Sequence, residues 1–179
     1  MRILITGAFG QLGHALQSVL SKKGNYELIC TGRKVKKGQE GIPLDIRNQV
    51  TLKELINTTA PDILINLAAM TNVDACELNP KLAGEINVAG LQHICDSFEG
   101  KIIHLSTDYV FDGTSGPYKE DDPINPISIY GKTKLASEHI LLEKDIKNLI
   151  IRGNVLYDYS PHTSASFLNW VVSSLKDNQ

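Results

Sequence analysis

Short, continuously apolar segments alternate along the chain with longer segments whose apolar residues recur every three to four positions. The short segments predict buried strands, and the longer segments predict amphipathic helices. The predicted strands cover residues 2–7, 26–32, 41–46, 62–69, 101–107 and 148–156. The predicted helices cover residues 11–24, 49–60, 82–100, 128–144 and 164–179.

This alternation of apolar strands with helices predicts an α/β fold, a doubly wound parallel sheet of the Rossmann type that helices cover on both faces. Such sheets bind ligands at the carboxyl ends of their strands, so the residues that follow each strand are the first candidates for a functional site. We expect one nucleotide-binding domain over residues 1–160. Residues 161–179 are expected to begin a further helix that leads toward a region beyond the chain.

Composition excludes several classes of protein. The 179 residues suffice for one domain with a real core, and a formal charge of −2 with interspersed signs shows no basic stripe for nucleic acid and no cationic helix for a membrane surface. No apolar run is long enough for a signal peptide or a membrane span. Three widely spaced cysteines without a C-x-x-C pair indicate free thiols in the reducing cytoplasm.

Three glycines follow the first predicted strand with the spacing G-x-x-G-x-x-G: Gly7, Gly10 and Gly13. A strand before them and an amphipathic helix after them are the context of a dinucleotide-binding turn. There, Gly7 permits the tight turn, Gly10 lets the backbone approach a pyrophosphate, and Gly13 lets the helix pack on the sheet. The helix N-terminus adds free N–H groups for phosphates. The alternative is a turn whose glycines serve packing alone.

The end of the second strand carries basic residues where an acid would bind a ribose hydroxyl. Arg33 stands there, and a guanidinium suits the additional 2′-phosphate of NADP. The other interpretation is a solvated basic loop, because Lys36 and Lys37 continue the run.

The third and fourth strands end on residues that suit the rest of a dinucleotide. Asp45 is a candidate acceptor for the adenine amino group, and Ile46 a candidate cover for the ring. Ala68 and Ala69 would leave room for a ribose and nicotinamide against the backbone.

The fifth strand ends with Ser106 and Thr107, and the helix after the next loop carries Tyr130 and Lys134 four positions apart. That spacing is about one helical turn, so the two side chains share a face. A Tyr-x-x-x-Lys pair alone is also common on solvated helices. Here the glycines, Thr107 and the pair all belong to one edge of the predicted sheet, which favours a reactive site.

These residues resemble the extended branch of the short-chain dehydrogenase/reductase superfamily that acts on nucleotide sugars, and within it the dTDP-4-dehydrorhamnose reductase family. The stretches that carry the likeness are "GAFGQLG", "NLAAMTNVDACELNP", "STDYVFDGTSGPYKEDDPINPISIYGKTKLASE" and "LIIRGNVLYD". The resemblance implies NADP(H) as the cofactor, with NAD(H) left open. It also implies a nucleotide-sugar substrate in dTDP-rhamnose biosynthesis, and it allows a homodimer.

The resemblance also implies roles for individual residues. The catalytic residues would be Thr107, Tyr130 and Lys134, with Tyr130 as proton donor, activated by the lysine ammonium. The cofactor-binding residues would be Gly7, Phe9, Gly10, Gln11, Leu12, Gly13, Arg33, Asp45, Ile46, Ala68, Ala69, Asn87, Tyr130 and Lys134. The substrate-binding residues would be Thr71, Val73, Ser106, Thr107, Tyr109 and Asn154.

Neighbouring activities leave different marks at the end of the fifth strand. Sugar 4,6-dehydratases carry Thr-Asp-Glu there, whereas Tyr109 follows Asp108 in this chain, and epimerases usually carry serine-rich sequences. A rival from another class shares much of the middle stretch: the regulatory beta subunit of methionine adenosyltransferase, which binds a partner enzyme. A non-catalytic NADP-binding module is therefore the alternative.

The chain departs from the family pattern at three places. Val155 stands where a substrate-contacting tryptophan is usual, which leaves the sugar open. Ala15 replaces a glutamate that binds Mg²⁺ in some members, so we predict no bound metal. The family continues beyond residue 179 with a small substrate domain. An isolated chain of this length is expected to bind NADP(H) weakly and to reduce the sugar poorly or not at all.

Overall fold

The computed structural model describes residues 1–144, 147–156 and 167–177. Six parallel strands form one sheet in the order β3-β2-β1-β4-β5-β6, which confirms the predicted doubly wound α/β fold. The strands are β1 (Arg2–Thr6), β2 (Glu27–Gly32), β3 (Ile42–Pro43), β4 (Ile63–Asn66), β5 (Lys101–Thr107) and β6 (Leu149–Gly153). The order reverses between β1 and β4, so the carboxyl ends of these two strands border the crevice in which such sheets bind ligands.

Helices cover both faces of the sheet. They are α1 (Gln11–Lys23), α2 (Gln49–Thr59), α3 (Val73–Leu78), α4 (Pro80–Gly84), α5 (Gly90–Ser97), α6 (Ile129–Glu143) and α7 (Phe167–Asp177). On one face, Leu16 and Leu20 of α1 pack against a cluster that includes Ile3 and Ile5. On the other face, α2, α5 and α6 bury apolar residues in a cluster that includes Leu4. Alternate residues of β1 thus enter the two layers, as the period of a strand requires.

The described elements differ from the predicted ones mainly at their ends. β3 comprises only Ile42–Pro43, and β4 ends at Asn66 instead of residue 69. The backbone after β4 passes directly over the glycine turn, where a Cβ on Gly7 would lie 2.6 Å from the amide nitrogen of Ala68. The segment after β4 and the glycine turn are therefore in direct backbone contact at the edge of the sheet.

The region before β5 contains more helix than we predicted. α3 was missed, although Asn72 caps it by accepting a hydrogen bond from the amide of Ala75, a signal that the sequence carries. The predicted helix 82–100 is instead α4 and α5, joined by a π-helical turn over Glu85–Ala89 and ending at Ser97.

The last helix spans Phe167–Asp177, and the rest of its predicted range, 164–179, lies outside the described residues, as does the predicted domain boundary at residue 160. No helix in the described ranges is long and apolar enough to cross a membrane. Among the cysteines, all free, Cys76 and Cys95 are buried and Cys30 is half-buried.

Helix α6 depends on a glycine to approach the end of β5. A Cβ on Gly131 would lie 2.2 Å from the carbonyl oxygen of Tyr109, which is backbone and cannot swing away. We expect Gly131→Ala to lower the free energy of unfolding by about 2 kcal/mol, because overpacking outweighs the gain in helix propensity. Gly84→Ala is the matched control, since nothing lies within 4 Å of its added Cβ.

Denaturant unfolding of both variants, monitored by circular dichroism, measures the difference. Gly84→Ala should leave stability unchanged or raise it by up to about 1 kcal/mol. Equal stability of the two variants would show that α6 does not need this close approach.

Candidate active site

A cleft of about 520 Å³ opens at the carboxyl edge of the sheet. The glycine turn, the loop after β4, the end of β5, the start of α6 and the segment after β6 all border it. Its lining residues are Gly7, Gly10, Gln11, Leu12, Gly13, Leu67, Ala68, Ala69, Thr71, Val73, Leu105, Ser106, Thr107, Asp108, Tyr109, Tyr130, Gly153, Asn154, Val155 and Leu156. Most residues predicted for the site therefore share one cavity.

The glycine turn has the geometry that a phosphate-binding loop needs. Gly7 adopts φ +68°, and a Cβ on Gly13 would lie 2.3 Å from the carbonyl oxygen of Ala8, so both positions exclude a side chain. Gly10 is the N-cap of α1 and has no side chain to bond the amides of the first turn. Those N–H groups border the cleft and suit an anion.

Thr107 and Tyr130 both line the cleft. Thr107 is 5% exposed, and its hydroxyl accepts a hydrogen bond from the amide of Tyr109 at 3.2 Å. Burial raises the pKa of Tyr130, while a hydrogen bond with Thr107 opposes that shift. The rings of Tyr109 and Tyr130 meet edge to face with centroids 5.7 Å apart. Tyr130 therefore keeps its phenolic proton at neutral pH and presents it beside Thr107.

Lys134 lies on the same helix but not on the cleft wall. It is 2% exposed, and Nζ donates to the carbonyl oxygen of Leu105 at 2.6 Å and lies 3.0 Å from Nε2 of His104. Burial lowers the pKa of Lys134 to about 7, although the carboxylate of Glu138 opposes the shift. The expectation that a lysine ammonium lowers the pKa of Tyr130 is thus not met in this structure, where burial of the phenol dominates.

Ser106 borders the cleft, but its hydroxyl has another partner. It donates to Oε1 of Glu138, a side chain of α6 that is 1% exposed. Arg152 of β6 holds the same carboxylate with a 2.8 Å ion pair, and its guanidinium lies over the ring of Phe111. The predicted substrate contact of the Ser106 hydroxyl is corrected: that group ties β5 to α6.

The predicted adenine end of the site is only partly as expected. The carboxylate of Asp45 forms a 2.6 Å ion pair with Arg47, whose hydrogen bond is the main cause of the lowered pKa of Asp45. Arg33 is exposed and close enough to add to that lowering. Ile46 is 4% exposed and packs under Gly90 in the core, so its side chain does not cover a ligand ring here.

The family model of the RmlD substrate binding domain matches residues 1–179. This chain belongs to the RmlD substrate binding domain family.

Two curated relatives of the RmlD-family chain carry different names. This chain is 41% identical over 155 residues to "dTDP-4-dehydrorhamnose reductase" of Aggregatibacter actinomycetemcomitans. That match covers 84% of this chain and 50% of the relative. This chain is 35% identical over 159 residues to "Methionine adenosyltransferase 2 subunit beta" of Xenopus tropicalis, which covers 87% of this chain and 47% of the relative. The chain spans about half the length of these curated relatives.

A solved structure supports the same relationship. It is the crystal structure of dTDP-4-dehydrorhamnose reductase from Bacillus anthracis str. Ames in complex with NADP, which matches with 32% identity and a TM-score of 0.84. The match covers 98% of this chain and 60% of that chain.

Two predicted cofactor contacts of this RmlD-family chain lie away from the cleft. The Asn87 amide is 2% exposed; it accepts from the Met70 amide at 2.7 Å and donates to the Met70 carbonyl and to Thr133. Asn87 thus holds the backbone of Met70, next to Thr71, and its side-chain polar atoms already have partners within the protein. The ring of Phe9 occupies the space that a Cβ on Gly32 or Gly41 would need.

Sequence reasoning missed three polar residues behind the site: His104, Glu138 and Arg152. His104 and Glu138 are each 1% exposed. Charged residues are rarely buried unless they are paired. The position of Glu138 on the predicted inner face of α6 was therefore the one signal in the sequence that it has a buried partner. Gln11 does reach across the cleft, since its amide donates to the carbonyl oxygen of Leu156 at 3.4 Å.

Proposed function

We propose that this chain is the cofactor-binding part of an extended short-chain dehydrogenase/reductase that reduces a 4-keto nucleotide sugar with NADP(H). The observation that carries the proposal is that Thr107 and Tyr130 line one cleft together with the glycine turn. The reductase relatives and the neighbour solved with NADP support the substrate class and the cofactor.

Each residue of the pair has a definite part in this proposal. A bound nicotinamide cofactor supplies the hydride. The Thr107 hydroxyl, which donates to Oδ1 of Asp108 at 3.2 Å in this structure, would instead donate to the substrate carbonyl oxygen. Tyr130 would transfer its phenolic proton to that oxygen as charge develops on it. The raised pKa of Tyr130 keeps the proton in place until then, because burial disfavours the phenolate. Tyr109, Thr71, Val73 and Asn154 line the remaining wall and would contact the sugar nucleotide.

The glycine turn, Ala68 and Ala69 would hold the dinucleotide, with its phosphates at the first turn of α1. Arg33, whose exposed guanidinium follows the end of β2, would bind the 2′-phosphate of NADP(H).

We expect Arg33→Ser to weaken NADP⁺ binding about tenfold or more while leaving NAD⁺ binding unchanged, because a charged hydrogen bond is lost only with the phosphorylated cofactor. Lys37→Ser removes an equal charge from the same loop and is the control. Isothermal titration calorimetry with both cofactors measures the effect. Equal weakening by the two substitutions would identify a diffuse basic loop, which was the other interpretation of this run.

The direct test of the proposed function is oxidation of NADPH by a full-length version of the protein in the presence of dTDP-4-keto-6-deoxy sugars, followed at steady state. Calorimetry and thermal shifts with NADPH and NADH give an independent measure of cofactor binding. If neither cofactor binds nor is consumed, the oxidoreductase proposal fails.

A second candidate function is a non-catalytic NADP-binding module that regulates a partner enzyme. The 35% identity to a subunit of methionine adenosyltransferase favours it. Stoichiometric complex formation with a purified methionine adenosyltransferase catalytic subunit, without turnover on any keto-sugar, would support this function over the reductase. Turnover without complex formation would support the reductase.

A further inference from the structure

A row of buried polar side chains runs behind the cleft from β1 to α6. The Thr6 hydroxyl donates to Oδ1 of Asn66 at 2.5 Å, and Nδ2 of Asn66 lies 3.1 Å from Nδ1 of His104. Nε2 of His104 lies 3.2 Å from the Ser137 hydroxyl and 3.0 Å from Nζ of Lys134. All five residues are at most 2% exposed, so their hydrogens must be shared among themselves and the backbone.

Counting hydrogens shows a conflict at Nε2 of His104. The Ser137 hydroxyl donates to the carbonyl oxygen of Lys134 at 2.6 Å, so it can only accept from the imidazole. Because Asn66 donates to Nδ1, the hydrogen of a neutral imidazole lies on Nε2. An ammonium at Lys134 would then place two donors 3.0 Å apart.

Two arrangements remove the conflict. In the first, Lys134 is an amine and accepts the hydrogen of Nε2. In the second, Lys134 is an ammonium that donates to Nε2, the imidazole hydrogen is on Nδ1, and the Asn66 amide turns its oxygen toward that hydrogen. Thr6 then accepts from the turned amide, and Ser137 keeps its bond to the carbonyl of Lys134 but loses the one from Nε2. The imidazole carries one hydrogen in both, so passing from the ammonium to the amine releases one proton to solvent.

We propose that His104 is a positioning residue for Lys134: the ionisation of Lys134 is coupled to the tautomer of His104. The coupling follows from the 3.0 Å contact between Nζ of Lys134 and Nε2 of His104. The other polar partners are fixed, since Nζ also bonds to the carbonyl of Leu105 and Nδ1 of His104 faces Asn66. Its catalytic consequence rests on the proposed function: His104 decides whether a positive charge lies behind Tyr130 at a given pH.

The groups that face the pair favour titration near neutrality. Burial lowers the pKa values of both His104 and Lys134, and each positive charge would further disfavour the other. From α6 the charge that acts on Lys134 is the Glu138 carboxylate, which Arg152 of β6 already holds. From β1 and β4 the neutral Thr6 and Asn66 face the imidazole, so no other charge among the described residues competes with the pair.

Nuclear magnetic resonance of this chain tests the coupling without cofactor or substrate. The nitrogen shifts of ¹⁵N-labelled histidine identify the tautomer of His104, and the signals of labelled Lys134 report its charge. From about pH 5 to about pH 9 we expect both to change with one midpoint, near the lowered pKa of Lys134. A constant tautomer of His104 while Lys134 titrates would overturn the proposal.

Two variants sharpen the test. Lys134→Met should leave His104 in the tautomer with hydrogen on Nε2 throughout the titration, because Ser137 is then the sole acceptor at that nitrogen. Ser137→Ala removes the other Nε2 partner, and the coupled change should persist. A tautomer change that survives Lys134→Met would contradict the coupling. If that variant does not fold, the titration of the unaltered chain decides. Coupled titration in a chain that binds neither NADPH nor NADH would leave this inference standing and sink the proposed function instead.

Discussion

In a longer version of the protein that includes the substrate domain, replacement of Tyr130 by phenylalanine is expected to lower kcat for keto-sugar reduction by about 1,000-fold. Cofactor affinity should fall by less than about tenfold, the effect of one lost neutral hydrogen bond. General acid catalysis by a positioned side chain contributes about 100- to 10,000-fold, and the phenolic hydroxyl beside Thr107 is the only acid of the pair. The ring itself remains, so its edge-to-face packing with Tyr109 is retained. The loss therefore belongs to proton transfer and not to the shape of the cleft.

Steady-state kinetics with NADPH, together with calorimetric NADPH binding, measure the two effects separately. Tyr109→Phe is the matched control, since it removes a hydroxyl from the neighbouring ring of the same cleft. We expect this control to change kcat by less than about tenfold, because the role proposed for Tyr109 is contact with the substrate and not proton transfer. Equal losses in the two variants would contradict the assignment of Tyr130 as proton donor.

Replacement of Arg152 by methionine is expected to lower the free energy of unfolding by about 3–5 kcal/mol, because it leaves a buried carboxylate without its ionic partner. Glu138 is 1% exposed, and Arg152 contacts it through both Nε and Nη2. The same guanidinium donates to the carbonyl oxygen of Glu120 at 2.9 Å, so it also fastens the loop before α6.

Urea unfolding gives the size of this effect, and Arg47→Met is the control. Arg47 pairs with Asp45 at 2.6 Å, but both side chains are about one-third exposed, so solvent screens the pair and we expect a loss below about 1 kcal/mol. The double variant Glu138→Leu with Arg152→Met should recover part of the stability, since no buried charge remains unpaired. Equal losses for Arg152→Met and Arg47→Met would show that the buried ion pair contributes no more to the free energy of unfolding than the exposed one.

The amino-acid sequence by itself determined the layered fold and the edge at which the site lies. Continuously apolar strands that alternate with amphipathic helices are typical of a parallel sheet covered by helices on both faces. The carboxyl ends of such strands meet at one edge, which is why Gly7, Ala68, Thr107 and Tyr130 were expected together and do line one cleft. Gly7 and Gly13 were predictable because tight turns and close helix packing exclude a Cβ.

Only the tertiary structure decided which polar atom bonds to which. Lys134 bonds to the carbonyl of Leu105, Ser106 bonds to Glu138, and Asp45 bonds to Arg47. Strand and helix periodicity place a side chain on a face, but a hydrogen bond forms only within about 3 Å and with a suitable angle. Those distances depend on how β5 and α6, about 30 residues apart along the chain, are packed against each other. Burial then selects the partners, since a polar atom removed from water is costly unless it finds one.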